Sequence, residues 1–307
     1  AIQYSRLITE NRGRVKEQVV GLLLDKPSFQ GSVKVYIPFN FSSGGWSRGF
    51  IPQISYAGSN DLFNKSLLDL SKNGIFAVPD KPEEYHKGKN VYMQTLRASV
   101  RGYALRPVPA SGTFPRFGIG AEAGYSTRIM MDDLYSASAY CYAYGYLPGI
   151  TLTQGLKLTA RYQHQFRAEL RRENAISVAP RGFENSSAEY VIRNFSYDHL
   201  KFTADYAIPI WFGDISFLSP VAYIKNFEIT PHFDYTMFSL GKGLTDGGLF
   251  SAGASIVAKL ANLLWIPYDC SIGITASYNG GPSFNIIKNS GYPMDNHYIG
   301  FIFDISL

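Results

Sequence analysis

The chain has 307 residues, of which 46% are hydrophobic and 17% are charged, whereas typical globular domains are about 25% charged. Its formal net charge is +5, and its lysines and arginines are scattered along the chain. A nucleic-acid partner would need a clustered basic face, so we expect none. No segment reaches the ~18 consecutive apolar residues of a membrane helix. A chain of this kind can cross a membrane only as a closed β-barrel.

The apolar residues of the chain are unusually rich in aromatic and small side chains. Aromatic residues make up 15% of the chain, and there are 29 glycines. A soluble protein with so little charge would need a large core of Leu, Ile and Val. Aromatic and small residues mixed in this way instead suit strands with one face in lipid and the other in a polar lumen.

The chain starts Ala1-Ile2-Gln3-Tyr4, with no initiator Met and no signal sequence of basic and then apolar residues. Either a signal was removed or the chain is the C-terminal part of a longer protein, and we favour the second. Residues 1–14 are predicted to be an N-terminal extension or the end of an upstream segment. Residues 15–24 form a weak strand candidate, because their two faces are hard to tell apart.

Alternation of apolar and polar residues predicts the strands of the first half. The predicted strands are 33–41, 50–56, 96–105, 117–125, 135–146 and 156–164. The glycine run 118–124 has the spacing of a dinucleotide fingerprint. However, no helix pattern follows it, so we interpret its glycines as small residues facing the lumen. Cys141 and Cys270 are predicted to be free thiols on lipid-facing positions, although an oxidising periplasm would permit a disulfide.

Five further strands are predicted to start near Leu200, Val221, Phe250, Tyr268 and Tyr298. In the last of them, apolar residues take every odd position from Ile299 to Leu307. We therefore predict an all-β fold, an antiparallel transmembrane β-barrel with about 12 strands in this chain, each of ~9–12 residues. A soluble sandwich is the alternative. Strands of more than the usual five or six residues, with Tyr near the ends of the apolar faces, favour the membrane.

The predicted connections alternate in length. Long connections, rich in Asn, Lys, Gly and Pro, cover 59–91, 167–197 and 279–297, whereas those near 209–219 and 262–267 are short. Long loops at one end and short turns at the other are typical of outer-membrane barrels. We therefore treat residues 15–307 as one barrel domain and expect it in the outer membrane of a Gram-negative bacterium.

Three segments in the second half carry a specific pattern. The connection after strand 156–164 contains Arg181-Gly182-Phe183, the next strand has Asp205 four residues before Pro209, and the following strand contains Phe233-Asp234. With the five strands that come after the tripeptide, these segments resemble the bacterial surface antigen superfamily of outer-membrane assembly and secretion barrels (BamA-like). The resemblance covers about residues 156–307.

The resemblance implies a sixteen-stranded barrel, whose first strands would precede Ala1, and a loop that folds back into the lumen with its Arg-Gly-Phe tripeptide. Four departures place the chain on a divergent branch. Asp205 stands where the family more often has Glu, Pro180 where Val is usual, and Leu307 where a terminal Phe or Trp is usual. Tyr235 follows Asp234 without the expected Gly soon after it.

The residues themselves predict an ion pair that holds this loop inside the barrel. By parity, Asp205 and Asp234 both face away from lipid, so an Arg181 that enters the lumen can pair bidentately with Asp234 or, failing that, with Asp205. Gly182 permits a tight turn, and Phe183 can wedge against the wall. The alternative interpretation of the tripeptide is an ordinary exposed loop.

The sequence lacks the spacings of the common metal sites, since it contains no paired His or Cys spacing for zinc. We expect a non-enzymatic protein without catalytic residues, cofactor or metal, surrounded by outer-membrane lipid and partnered by other outer-membrane or periplasmic proteins. Protein insertion or translocation is the leading function. The alternatives are a passive porin or small-solute channel, and a membrane anchor for an upstream soluble domain.

Overall fold

The computed structural model describes most of the strands and parts of their connections. The described residues are 5–11, 14–20, 30–59, 93–107, 113–129, 135–166, 171–172, 176, 179–183, 192, 196–210, 223–239, 247–261, 269–289 and 294–306. None of the helices in these ranges is long and apolar enough to cross a membrane.

Twelve strands form one sheet. They are β3 (Gln30–Tyr36), β4 (Phe39–Asn40), β5 (Ser47–Ser59), β6 (Met93–Arg106), β7 (Phe117–Ile129), β9 (Ser138–Pro148), β10 (Gly155–Gln165), β12 (Asp198–Ile210), β13 (Tyr223–Ser239), β14 (Gly247–Ala261), β15 (Asp269–Gly280) and β16 (His297–Ser306). The strands β1 (Ser5–Asn11) and β2 (Arg14–Val20) pair only with each other. The two-residue strands β8 (Tyr135–Ser136) and β11 (Arg171–Arg172) form a short parallel pair. The helix α1 (Phe284–Asn289) lies between β15 and β16.

The main sheet is antiparallel throughout, and its strands follow one another in chain order from β3 to β16, with β4 extending the β3 side of β5. This confirms the predicted all-β class, the antiparallel arrangement and the strand number. It also confirms that five strands follow the Arg-Gly-Phe tripeptide. Within the described residues β3 and β16 are the two edges of the sheet, and no pairing joins them.

Three predicted strands differ from the observed ones in pairing or continuity. Of the candidate 15–24, residues 15–20 fall on β2, which pairs with β1 and not with the main sheet, and residues 21–24 lie outside the described residues. The strand 33–41 is interrupted at residues 37–38, because Pro38 has no backbone N–H to donate to a ladder. The strand 135–146 is divided at Ala137 into β8 and β9.

The two faces of the sheet have opposite polarity, as alternation requires. On the pair β15–β16, Ile274 lies opposite Phe301, and both point outward with 56% and 71% of their surface exposed. Residues of the other parity, such as Ser277 and Asn279, are buried on the inner face. Many large exposed side chains of the sheet are therefore hydrophobic, and many of its buried side chains are polar.

The three longest connections join strand ends at one edge of the sheet, and the shorter connections 130–137 and 240–246 join strand ends at the same edge. The residues between β5 and β6, β10 and β12, and β15 and β16 leave the same edge of the sheet, because neighbouring strands run antiparallel. We call this the long-connection edge. The turn 149–154 lies at the opposite, short-connection edge, and the strand ends that precede and follow 107–116, 211–222 and 262–268 are at that edge too.

A hydrophobic cluster closes the inner face near the long-connection edge. We call it the apolar cap, and its buried members are Ala179, Phe183, Ile192, Phe238, Leu249, Phe284, Ile287 and Met294. They come from the connection between β10 and β12, the ends of β13 and β14, and α1 with the residues after it. The main dry core among the described residues therefore lies between two connections and the wall.

Both cysteines are free. Cys141 is exposed on the outward parity of β9, as predicted. Cys270 shares the parity of Ile274 but has no exposed surface, so the expectation that it faces lipid is wrong for this residue.

Candidate functional site

Arg181 lies in the connection between β10 and β12 and reaches the inner wall of the sheet. Its Nε donates to Asp234 Oδ2 at 3.1 Å and its Nη2 to Asp234 Oδ1 at 2.9 Å. The backbone N–H of Arg181 also donates to Asp234 Oδ2 at 2.8 Å. Asp234 is in β13 with a fully buried side chain. The guanidinium therefore forms a bidentate pair, the geometry in which an Arg–carboxylate contact is strongest and most selective.

Asp205 on β12 is a second partner of the same guanidinium, through Nη2. The sequence left Asp234 and Asp205 as alternatives, and the structure brings Arg181 to both. Thr203 is directly opposite Asp234, so Asp205 and Asp234 are diagonal neighbours, about 7–8 Å apart in such an arrangement. Nη2 donates to both carboxylates, and Nε donates to the second oxygen of Asp234, so the planar guanidinium contacts three carboxylate oxygens at once.

Lys201 completes the charge balance of this cluster. Its Nζ donates to the carbonyl of Ala179 at 2.5 Å and lies 3.6 Å from Asp234 Oδ2. Two cations therefore face two carboxylates, and the buried Asp234 is surrounded by positive charge. We name Arg181, Lys201, Asp205 and Asp234 the loop lock. Its side chains are bound to one another and to the backbone, which suits a role in positioning the connection between β10 and β12.

Gly182 makes the turn that aims Arg181 into the wall. Its φ is +83°, a left-handed conformation that glycine adopts without the steric cost paid by other residues. Asn279 on β15 donates from Nδ2 to the Gly182 carbonyl at 3.3 Å. A Cβ at position 182 would lie 2.7 Å from Asn279 Oδ1, so the site excludes a side chain as well as requiring the turn.

Phe183 fixes the far side of the tripeptide. It is 2% exposed in the apolar cap, and its ring centroid lies 6.2 Å from that of Phe284 in α1. The tripeptide thus contacts β12, β13, β15 and α1 through polar bonds on one side and apolar packing on the other. Sequence reasoning missed Lys201, Asn279 and α1. Only Lys201 had a visible signal, the odd parity it shares with Asp205.

A second contact crosses the inner space at the short-connection edge. Thr113, in the connection between β6 and β7, hydrogen-bonds through Oγ1 to Glu228 Oε2 on β13. Lys259 on β14 donates to Glu228 Oε2 at 2.7 Å and to Thr113 Oγ1 at 3.2 Å. Because β7 is separated from β13 by three strands in the sheet order, the sheet must curve strongly. A connection is therefore tied to the inner wall at each end.

Comparison with known proteins identified no relative of the chain. Neither a scan of protein-family models nor a search of curated proteins found a match to the chain.

Proposed function

We propose that this chain is an integral outer-membrane β-barrel, that it is related to the bacterial surface antigen superfamily, and that it acts in the insertion or translocation of other proteins. The observation that carries the proposal is the loop lock. The tripeptide Arg181-Gly182-Phe183 folds inward against Asp234 and Asp205, which is the arrangement that the resemblance implies.

The polarity of the sheet supports a membrane location. Its outward face carries large exposed hydrophobic side chains on many strands, among them Ile119, Ile256, Ile274 and Phe301. In water such a surface would cost about 25 cal/mol per Å² of apolar area and would aggregate. In a bilayer this apolar face contacts lipid, and the inward serines, threonines and charged residues line a polar interior.

The experiment is a folding assay in liposomes. The purified protein is reconstituted into liposomes, and a urea-denatured eight-stranded outer-membrane barrel is added as client. Folding of the client is followed by its altered gel mobility without boiling. We expect several-fold faster client folding than in empty liposomes, and a smaller acceleration with Arg181→Ala. A client folding rate equal to that in empty liposomes would count against insertion activity.

A passive porin is the second candidate, favoured by inward cations such as Arg101, which forms no ion pair with a carboxylate of the described residues. Conductance across planar bilayers separates the two functions. A porin conducts steadily as wild type. A barrel closed by the loop lock and by the Thr113 contact conducts little, and its conductance rises when Arg181 is replaced by Ala.

A further inference from the structure

The inner wall formed by β6, β7, β9 and β10 differs in charge from the wall that holds the loop lock. Strand register places Arg101, Glu122, Tyr142 and Arg161 in one row across these four strands. Arg97 precedes Arg101 by four residues on β6, so it lies on the same face. We call this surface, with Tyr140 and Tyr144 of β9, the cationic wall. Glu122 is its single carboxylate among the described residues.

Two tyrosines of β9 pack against the neighbouring strand β7 and form the base of this wall. Tyr140 and Tyr144 are each 5% exposed, and their rings lie over Gly124 and Gly120 of β7. A Cβ at Gly124 would be 2.5 Å from the Tyr140 ring, and one at Gly120 would overlap the Tyr144 ring. The glycines therefore leave the space in which the rings lie flat, and the rings form a rigid floor for the side chains above them.

The arginines of β6 lie beside these tyrosines. Arg97 Cζ is 5.8 Å from the centroid of the Tyr140 ring, and Arg101 Cζ is 6.0 Å from that of Tyr144. Arg101 Nη2 also donates to the Tyr144 hydroxyl at 3.3 Å. A cation near a ring is attracted electrostatically but keeps its formal charge. A guanidinium carries five N–H donors, so those that the tyrosines do not engage can bind a ligand.

Neither arginine has a carboxylate within ion-pair distance. In the described part of the chain, neither Arg97 nor Arg101 forms an ion pair, and Arg97 Nε is buried without a hydrogen-bond partner. Glu122 lies directly opposite Arg101 and compensates part of its charge, and it accepts a hydrogen bond from Tyr140 at 2.9 Å. In the loop lock, by contrast, Arg181 binds two carboxylates. The arginines of the cationic wall are therefore less completely neutralised than Arg181.

We propose that the cationic wall is a binding site for an extended anion that carries at least two phosphate or carboxylate groups, with Arg97 and Arg101 as its ligands. Guanidinium groups bind carboxylates and phosphates through two parallel N–H donors. The two residues are four positions apart on one strand, so their Cα atoms are separated by about 13 Å. That spacing favours a multiply charged chain over a single small anion. The site does not depend on the proposed function.

The test is calorimetric titration of the full chain in non-ionic detergent at low salt, where charge interactions are least screened. The probe is linear tripolyphosphate, compared with inorganic phosphate. We expect tripolyphosphate to bind at least tenfold more tightly than phosphate. The double variant Arg97→Gln/Arg101→Gln should weaken tripolyphosphate binding at least tenfold. Arg48→Gln, which removes an exposed arginine stacked on Trp46 outside the wall, should change it less than twofold.

A gain-of-binding variant guards against misfolding of the double variant. Glu122→Gln removes the only acid of the wall and should tighten tripolyphosphate binding about threefold. The proposal is overturned if the wild type does not bind tripolyphosphate, if the folded double variant binds as tightly as the wild type, or if Glu122→Gln leaves the affinity unchanged. Because binding is measured in detergent, these outcomes are independent of client folding and of conductance.

Discussion

Replacing Arg181 with Ala is the most direct perturbation of the loop lock. The substitution removes two side-chain hydrogen bonds to Asp234 and the contact to Asp205, but it leaves the backbone donor to Asp234 in place. It also leaves Lys201, whose Nζ is 3.6 Å from Asp234 Oδ2. The buried carboxylate therefore loses its fork but keeps one backbone bond and one nearby cation.

The expected loss follows from this inventory. Breaking a fully buried ion pair by removing one partner costs about 3–5 kcal/mol. The Arg181 side chain is 30% exposed, and Lys201 remains to compensate Asp234. We therefore expect Arg181→Ala to lower the stability of the docked loop by about 2–3 kcal/mol. Arg181→Lys keeps a charge without the fork and should lose roughly 1–2 kcal/mol.

Three measurements on the protein in liposomes test this expectation. Hydrogen exchange at the amides of residues 181 and 183 should become roughly 30- to 150-fold faster, since 1.4 kcal/mol corresponds to a factor of ten. Urea unfolding of the whole sheet should shift less, because loop opening is a local event. A double-mutant cycle with Asp234→Ala should give a coupling energy of at least about 1 kcal/mol between the two residues.

The matched control is Arg48→Ala, since Arg48 is exposed and its guanidinium lies over Trp46, away from the lock. It should leave exchange at residues 181 and 183 unchanged. If Arg181→Ala gives the same exchange rates as Arg48→Ala, or if the coupling to Asp234 is below about 0.5 kcal/mol, then the contacts seen in the structure do not hold the loop and the lock is refuted.

Further predictions concern the turn, the outer face and the short-connection edge. Gly182→Ala places a Cβ on a residue with φ +83° and close to Asn279, so we expect a loss of about 1–3 kcal/mol in loop stability by hydrogen exchange. Ile274→Arg, in the middle of β15, should lower the unfolding free energy in liposomes by about 2–4 kcal/mol. The same change at Ile150, in the turn 149–154, should cost no more than about 1 kcal/mol, and equal losses would contradict the assignment of the outward face to lipid. Lys259→Ala removes the cation bound to Glu228 and should raise bilayer conductance, with a further rise when it is combined with Arg181→Ala; an unchanged conductance would show that the Thr113 contact does not restrict the lumen.

Alternation located most strands because a residue's face in a sheet is a property of its own strand. The inward parity of Asp205 and Asp234 was predictable for that reason. Their simultaneous contact with Arg181 was not, since it depends on Thr203 lying opposite Asp234, and a slip of one residue would reverse every side chain. Register is a relation between two strands that neither strand encodes alone.

The cationic wall had a signal in the sequence that alternation did not capture. Tyrosines recur at every even position from Tyr140 to Tyr146, and the glycine run 118–124 was correctly interpreted as small residues on the inner face. The rings and the glycines are complementary in size, but only the pairing of β7 with β9 places Tyr140 opposite Gly124. The Thr113 contact was out of reach, because it depends on the path of a connection across the interior.

The loop lock also constrains the order in which the chain can fold. Arg181 precedes its partners on β12 and β13 and the Asn279 of β15 by up to about a hundred residues, and contacts of such large sequence separation form slowly. The tripeptide cannot dock until β12, β13 and β15 are paired in register. A chain stalled before that point has an unpaired Arg181 and an Asp234 that lacks its main partner. Docking of Arg181 is therefore a late checkpoint, and it marks completion of the C-terminal half of the sheet.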